Sequence, residues 1–235
     1  MSYPRLRELQ LVELEILLEV DRVCRENGIE YFLDGGTALG AVRHGGFIPW
    51  DDDIDIGMTR ENYEKFLEIA PEKLKNDYFL QTRKTDKKAP YMYAKVRKNG
   101  TVFMEWNKRN LDMHHGIYID IFPYDNVPDD IKERNEYLAK CGRLYRLYLL
   151  RSTPDRDLPP QKSVKWAILA VFRRLIHYTL KIVPMLWIEN KIDQMFRKYN
   201  KADTKCLVCH MFNQYIYSKR DLFPVKQIKF EIKSI

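Results

Sequence analysis

Apolar residues across 6–27 recur at helical spacing: Leu11, Leu14, Leu17 and Leu18 share one face, and Asn27-Gly28 is a stop signal. Residues 29–34 (IEYFLD) predict a short strand, after which Gly35-Gly36-Thr37 turns the chain into a short helix over 38–43. His44-Gly45-Gly46 reads as loop. Residues 53–58 then alternate polar and apolar as a second strand, and 62–69 predict a helix carrying Tyr63 and Phe66. Further strands are predicted over 79–82, 91–97 and 101–105, followed by the strongly β-favouring run 117–122 (IYIDIF), which ends at Pro123. From 129 to 199 the pattern is helical, interrupted by the proline-rich stretch 153–160. Mixed elements first and helices later predict an α/β (α+β) protein, a mixed sheet flanked by helices. A core over 1–128 would precede a mostly helical region over 129–235.

Composition changes this picture little. With 45% hydrophobic and 31% charged residues in 235, the chain has the makeup of a packed globular protein and not of a disordered one. The net charge of +7 favours anionic partners: nucleic acid, acidic lipid headgroups or phosphorylated small molecules. The basic residues are spread along the chain with no basic helix and no RNA-binding aromatic motif, so nucleic acid is not the expected partner. Cys206 and Cys209 form a lone Cys-x-x-Cys before His210, without a second pair at zinc spacing, and read as packing thiols. The charged amphipathic N-terminus has no signal-peptide pattern, and the apolar stretch 166–188 is broken by Arg173, Arg174, His177, Lys181 and Pro184. A cytoplasmic location is therefore expected. The same stretch is apolar and basic on different faces, which suits either packing against the core or peripheral contact with the inner face of a membrane.

The chemistry concentrates in Asp51-Asp52-Asp53-Ile54-Asp55-Ile56. On a strand, side chains at i and i+2 share a face, so Asp53 and Asp55 project together while Ile54 and Ile56 face the core. Carboxylates held this close repel each other unless a cation lies between them. An oxygen-seeking ion, Mg²⁺ or Mn²⁺, suits them. Asp51 and Asp52 read as an ordinary solvated turn. Asp120, flanked by Ile119 and Ile121, is a carboxylate in an apolar strand and needs a partner; if the two strands are neighbours, it completes a three-carboxylate cluster.

Gly35, Gly36 and Thr37 follow a strand and open a helix, so their backbone N–H groups can receive a phosphate. Arg43, Lys95 and Arg97 are candidates for neutralising phosphate charge, with Lys95 and Arg97 on one strand face. His44 and His115 adjoin glycines near the proposed site, but loop histidines are more often structural. Trp50 reads as a core residue ahead of a stacking platform.

These residues resemble the LicD/fukutin-related phosphotransferase family. The match runs through FLDGGTALGAVRHGGFIPWDDDIDIGM (32–58), YAKVRKNGTVF (91–103) and HGIYIDIFPYD (115–125), with a weaker echo in LFPVKQIKFE (222–231). The resemblance implies a nucleotidyltransferase-type fold and Mg²⁺-dependent transfer of a substituted phosphate, phosphocholine or a polyol phosphate. The donor would be CDP-linked (CDP-choline or CDP-ribitol), and the acceptor a hydroxyl of a cell-surface glycan such as teichoic acid or lipopolysaccharide. The family's metal aspartates fall on Asp53 and Asp55, its third carboxylate on Asp120 and its glycine turn on Gly35 and Gly36. Past Glu231 the family pattern continues with a Gly, a Pro-containing stretch and a Tyr-Gly-Asp segment, whereas this chain reads IKSI. Three other readings stay open: transfer of NMP, a catalytically inactive binding module, and a basic nucleic-acid-binding domain.

Overall fold

The computed structural model describes residues 4–153, 164–211, 215–231 and 233–234. The chain forms two compact units, one of residues 1–124 with 219–235 and one of 125–218. The sequence pattern drew a single line at 128/129; the contacts return the last seventeen residues to the first unit.

In the first unit, helix α1 (Pro4–Glu26) buries Leu14, Leu17, Val20, Val23 and Cys24 along one stripe, while Leu11 falls outside it at 46% exposure. Gly28, at φ +59°, ends the helical run in a conformation that favours glycine. Strand β1 is only Phe32–Leu33, shorter than predicted; helix α2 spans Gly35–His44 and strand β2 Asp55–Thr59. Helix α3 (Arg60–Lys73), with Thr59 as N-cap, is followed by strands β3 (Tyr78–Gln81), β4 (Ala94–Lys98) and β5 (Tyr118–Val127). The strand order is β1-β2-β5-β4-β3, with β2 and β5 parallel and the other neighbours antiparallel. This is the mixed sheet with flanking helices that the sequence predicts.

One face of the sheet is apolar at its centre. Ile54, Ile56, Ala94, Val96, Ile119 and Ile121 are all fully buried, in one cluster with the stripe of α1 and with Tyr63, Phe66 and Ala70 of α3. Burying an aliphatic side chain of this size is worth about 1.5–3 kcal/mol. A one-residue slip of β2 or β5 would exchange those isoleucines for aspartates, so the register is firmly set. The apolar core thus dictates that the intervening polar side chains emerge together on the other face.

Two predicted boundaries are corrected. Residues 101–105 form no strand, although Phe103 N–H donates to His115 O at 2.7 Å. Pro123 does not end β5 but lies inside it, in register with Met58 of β2. On the other side of β5, β4 pairs only as far as Ile121 and the next ladder begins at Asp125, so the missing proline N–H breaks no ladder bond.

In the second unit, α4 (Ile131–Ser152), α5 (Val164–Leu180) and α6 (Met185–Phe196) carry the predicted helical content. Two short strands were not foreseen: β6 (Cys206–Val208) pairs with Asp125–Val127 of β5, and β7 (Ile216–Ser218) with β6. Apart from Thr153, the C-cap of α4, the proline-rich stretch 153–160 lies outside the described residues. The tail then returns to the first unit, where Phe230 is fully buried with its ring centroid 5.1 Å from that of Phe47.

Candidate active site

The turn from β1 into α2 is built by Asp34. Its N–H donates to Asp55 O at 3.0 Å and its side chain caps α2 by accepting from Gly35 N–H at 2.8 Å. The other carboxylate oxygen accepts from the Tyr124 hydroxyl. Gly35 sits at φ +49°, and a Cβ on Gly36 would come within 2.7 Å of Asp51 Oδ2, so the helix start approaches the acidic loop more closely than a side chain permits. Thr37 is buried, and its Oγ1 accepts from Asp55 N–H at 2.9 Å. That bond ties the N-terminus of α2 to the first residue of β2.

The register places Asp55 beside Asp120 on the parallel neighbour, and Asp120 beside Lys95 on the antiparallel one. Three polar side chains thus stand abreast across β2, β5 and β4, with Asp53 just before β2. Burial first, then the charges of Asp120 and Asp53, push the Asp55 carboxyl up to about 8. Burial, then Asp51 and Asp120, push Asp53 up to about 6. Asp120 is also raised by burial, against the pull of Lys95. The side chains of Lys95 and Asp120 form an ion pair, and burial pushes the Lys95 ammonium down to about 8. Three carboxylates whose charges disfavour each other, backed by one lysine, offer oxygens of the kind a hard divalent cation takes, although the ligand oxygens of Asp53, Asp55 and Asp120 do not all come within 4.8 Å of one another. Among the described residues, the acidic trio with ligand oxygens all within 4.8 Å of one another is Asp51, Asp52 and Asp53, immediately ahead of Asp55.

The predicted basic residues divide. Lys95 faces the carboxylates and its Nζ lies 3.4 Å from the ring centroid of Tyr118 and 4.7 Å from that of Tyr91. Arg97 is buried: its Nε donates to Gln81 Oε1 and an Nη to Gly116 O, both at 2.5 Å, so it braces β4 against its neighbours. Arg43 is exposed in the last turn of α2, eight residues past Gly35 or about 12 Å along the axis. His44 is likewise exposed there, and His115 Nε2 lies 2.9 Å from Leu111 O. Cys206 is half-buried and Cys209 buried, and neither forms a disulfide. Trp50, expected in the core, is 74% exposed next to the acidic loop, the position of a platform.

The sequence pattern missed Glu13. It is 2% exposed on α1, its Oε2 has no hydrogen-bond partner, and its carboxyl is pushed up to about 10 by burial and then by Asp53, Asp52, Asp120 and Asp51. Burial and the charges of the acidic loop thus both favour the neutral form of Glu13. The signal was present, since Gln10, Glu13, Leu17 and Val20 fall on one buried stripe and two of them are polar. Gln10 uses its amide to hold Asp51 O at 2.9 Å. Glu231 was also overlooked as an individual residue: it accepts from Phe47 N–H at 3.3 Å and pairs with Arg7 at 2.8 Å, fastening the tail to the loop that leads to the aspartates.

Residues 28–173 match the family model described as LicD/FKTN/FKRP, nucleotidyltransferase domain. The lipopolysaccharide cholinephosphotransferase LicD of Haemophilus influenzae is 40% identical over 141 residues, which cover 59% of this chain and 51% of that protein. The chain thus spans about half the length of that relative. The human ribitol 5-phosphate transferase FKRP is 54% identical over 40 residues, 17% of this chain and 8% of that one.

Proposed function

The chain belongs to the LicD/FKTN/FKRP family, and from that premise we propose that it transfers a substituted phosphate from a CDP-linked donor to a hydroxyl of a cell-surface glycan. The observation that carries the reading is the row Asp55–Asp120–Lys95 beside the N-terminus of α2. The relatives' names give the chemistry its range: one moves phosphocholine to lipopolysaccharide and another moves ribitol 5-phosphate.

Asp53, Asp55 and Asp120 would hold Mg²⁺ or Mn²⁺, which when bound neutralises charge on the donor's diphosphate. The residues themselves do the rest. Asp34 and Thr37 fix the start of α2, so that the N–H groups of Gly36 and Thr37 present positive partial charge to a phosphate oxygen. Lys95 pairs with Asp120, pulling against the upward push of burial, and supplies the positive charge on the far side of the carboxylates. The acceptor hydroxyl attacks the distal phosphorus in line, its proton passes to one of the three carboxylates, and the bond to CMP breaks. Arg43 reaches donor or acceptor phosphate only from the far end of α2. A glycan acceptor carried on lipid would be met at a membrane surface, and no helix among the described residues is long and apolar enough to cross one.

Product analysis with CDP-choline and CDP-ribitol in Mg²⁺ tests the proposal. Release of CMP, abolished by Asp53→Asn and by Asp55→Asn in folded protein, is the expected result. Release of pyrophosphate from nucleoside triphosphates instead would assign the chain to NMP transfer.

A further inference from the structure

The proposed chemistry leaves one large surface unused. Helix α5 buries only a narrow stripe, with Ala170 and His177 almost fully enclosed and His177 Nδ1 3.0 Å from Leu150 O of α4. Most of its other described apolar side chains turn outward. Phe172, Leu175 and Tyr178 of α5, Ile182 of the connecting turn, and Leu186 and Trp187 of α6 are all between 57% and 84% exposed. Water-facing side chains of this size, gathered on two consecutive helices, are the mark of a surface that something else covers.

Charge identifies what covers it. Residues 164–188 contain no Asp or Glu, while Lys165, Arg173, Arg174 and Lys181 are basic. Two exposed aromatics carry an ammonium at their side: Lys181 Nζ lies 5.0 Å from the Tyr178 ring centroid, and Lys191 Nζ 5.9 Å from that of Trp187. An amphipathic ring beside a cationic head suits a boundary between hydrocarbon and phosphate. A second copy of the chain would bring the same excess of basic over acidic side chains, since Glu189 and Asp193 of α6 are the acids among residues 164–196, and like charge would oppose the contact. An anionic lipid surface complements both the apolar and the basic groups.

We propose that the outer face of α5 and α6 is a membrane-docking surface that lies on anionic lipid, with Phe172, Leu175, Leu186 and Trp187 in the headgroup boundary and Lys181 and Lys191 at the lipid phosphates. This inference stands independently of the phosphotransfer reading. The test is flotation of the full chain with vesicles of phosphatidylcholine alone or mixed with phosphatidylglycerol. Wild-type protein floats with the anionic vesicles, loses binding in high salt, and shows a blue shift of tryptophan emission that Trp187→Phe reduces. The double substitution Phe172→Glu with Leu186→Glu, both at exposed positions, weakens binding by about tenfold or more while the circular dichroism spectrum is kept. Failure to float with anionic vesicles overturns the proposal, as does unchanged flotation of the double variant. A dimer in analytical ultracentrifugation that the double variant dissolves, with no vesicle binding, would replace lipid with a second copy of the chain.

Discussion

Asp55 is held where its charge is unwelcome, and its replacement by asparagine should stabilise the metal-free protein. Burial and the neighbouring Asp120 and Asp53 raise its carboxyl from an ordinary 3.8 to about 8. Between those two values the native state keeps a proton that the unfolded chain has released, so stability falls as pH rises through this window. Each pKa unit corresponds to about 1.4 kcal/mol, which sets a ceiling of roughly 5 kcal/mol at pH 8. Asp55 is not completely enclosed, and water and side-chain relaxation reduce the effect to about 2–3 kcal/mol. Asparagine keeps the shape and leaves the bond from its own N–H to Thr37 Oγ1 intact. Urea unfolding in EDTA should therefore show Asp55→Asn more stable than wild type at pH 8 by this amount, with the difference vanishing near pH 4. Mg²⁺ should raise the melting temperature of the wild type, increasingly so from pH 6 to pH 8.5, and leave the variant unmoved. A variant that is less stable at every pH, or a difference that does not change with pH, would refute the reasoning.

Two other substitutions probe the supports of the site. Lys95→Met leaves Asp120 buried beside Asp55 without its cation and should lower stability by about 3–5 kcal/mol; urea unfolding should show much of that loss recovered in the double variant Lys95→Met/Asp120→Asn. Gly40→Ala places a Cβ 2.5 Å from Gly46 O and 2.9 Å from Ile48 N. Backbone cannot move aside as cheaply as a side-chain tip, so denaturation should report a loss of about 1–3 kcal/mol. Displacement of the loop that delivers Asp51 to Asp53 should also lower Mg²⁺ affinity in a thermal-shift titration.

The legible part of the site was its period-two arithmetic. Ile54 and Ile56, and Ile119 and Ile121, can satisfy the core only if Asp55 and Asp120 emerge on the opposite face, and local pattern is enough to see that. The parallel pairing that sets the two aspartates side by side is a long-range fact, suggested by the family resemblance and visible only in the fold. Pro123 misled because strand propensity takes no account of a gap between two ladders on one side of β5. Residues 101–105 carry β-favouring side chains but no strand forms over them, although Phe103 N–H donates to His115 O. Strand alternation alone gives Lys95 no partner, and the fold supplies Asp120, since a buried ammonium needs a buried carboxylate. Glu13 escaped notice since it lies forty residues from the aspartates, on a helix whose leucines dominate the pattern. A tryptophan reads as core ahead of a stacking platform, whereas Trp50 is 74% exposed.

Binding of Mn²⁺, followed by electron paramagnetic resonance in the wild type and in Asp53→Asn, Asp55→Asn and Asp120→Asn, bears most directly on the joint use of those carboxylates. Saturable binding in the wild type that each of the three substitutions weakens strongly is the predicted result. Undiminished binding in Asp120→Asn, or binding lost only when Asp51 and Asp52 are replaced, would contradict it.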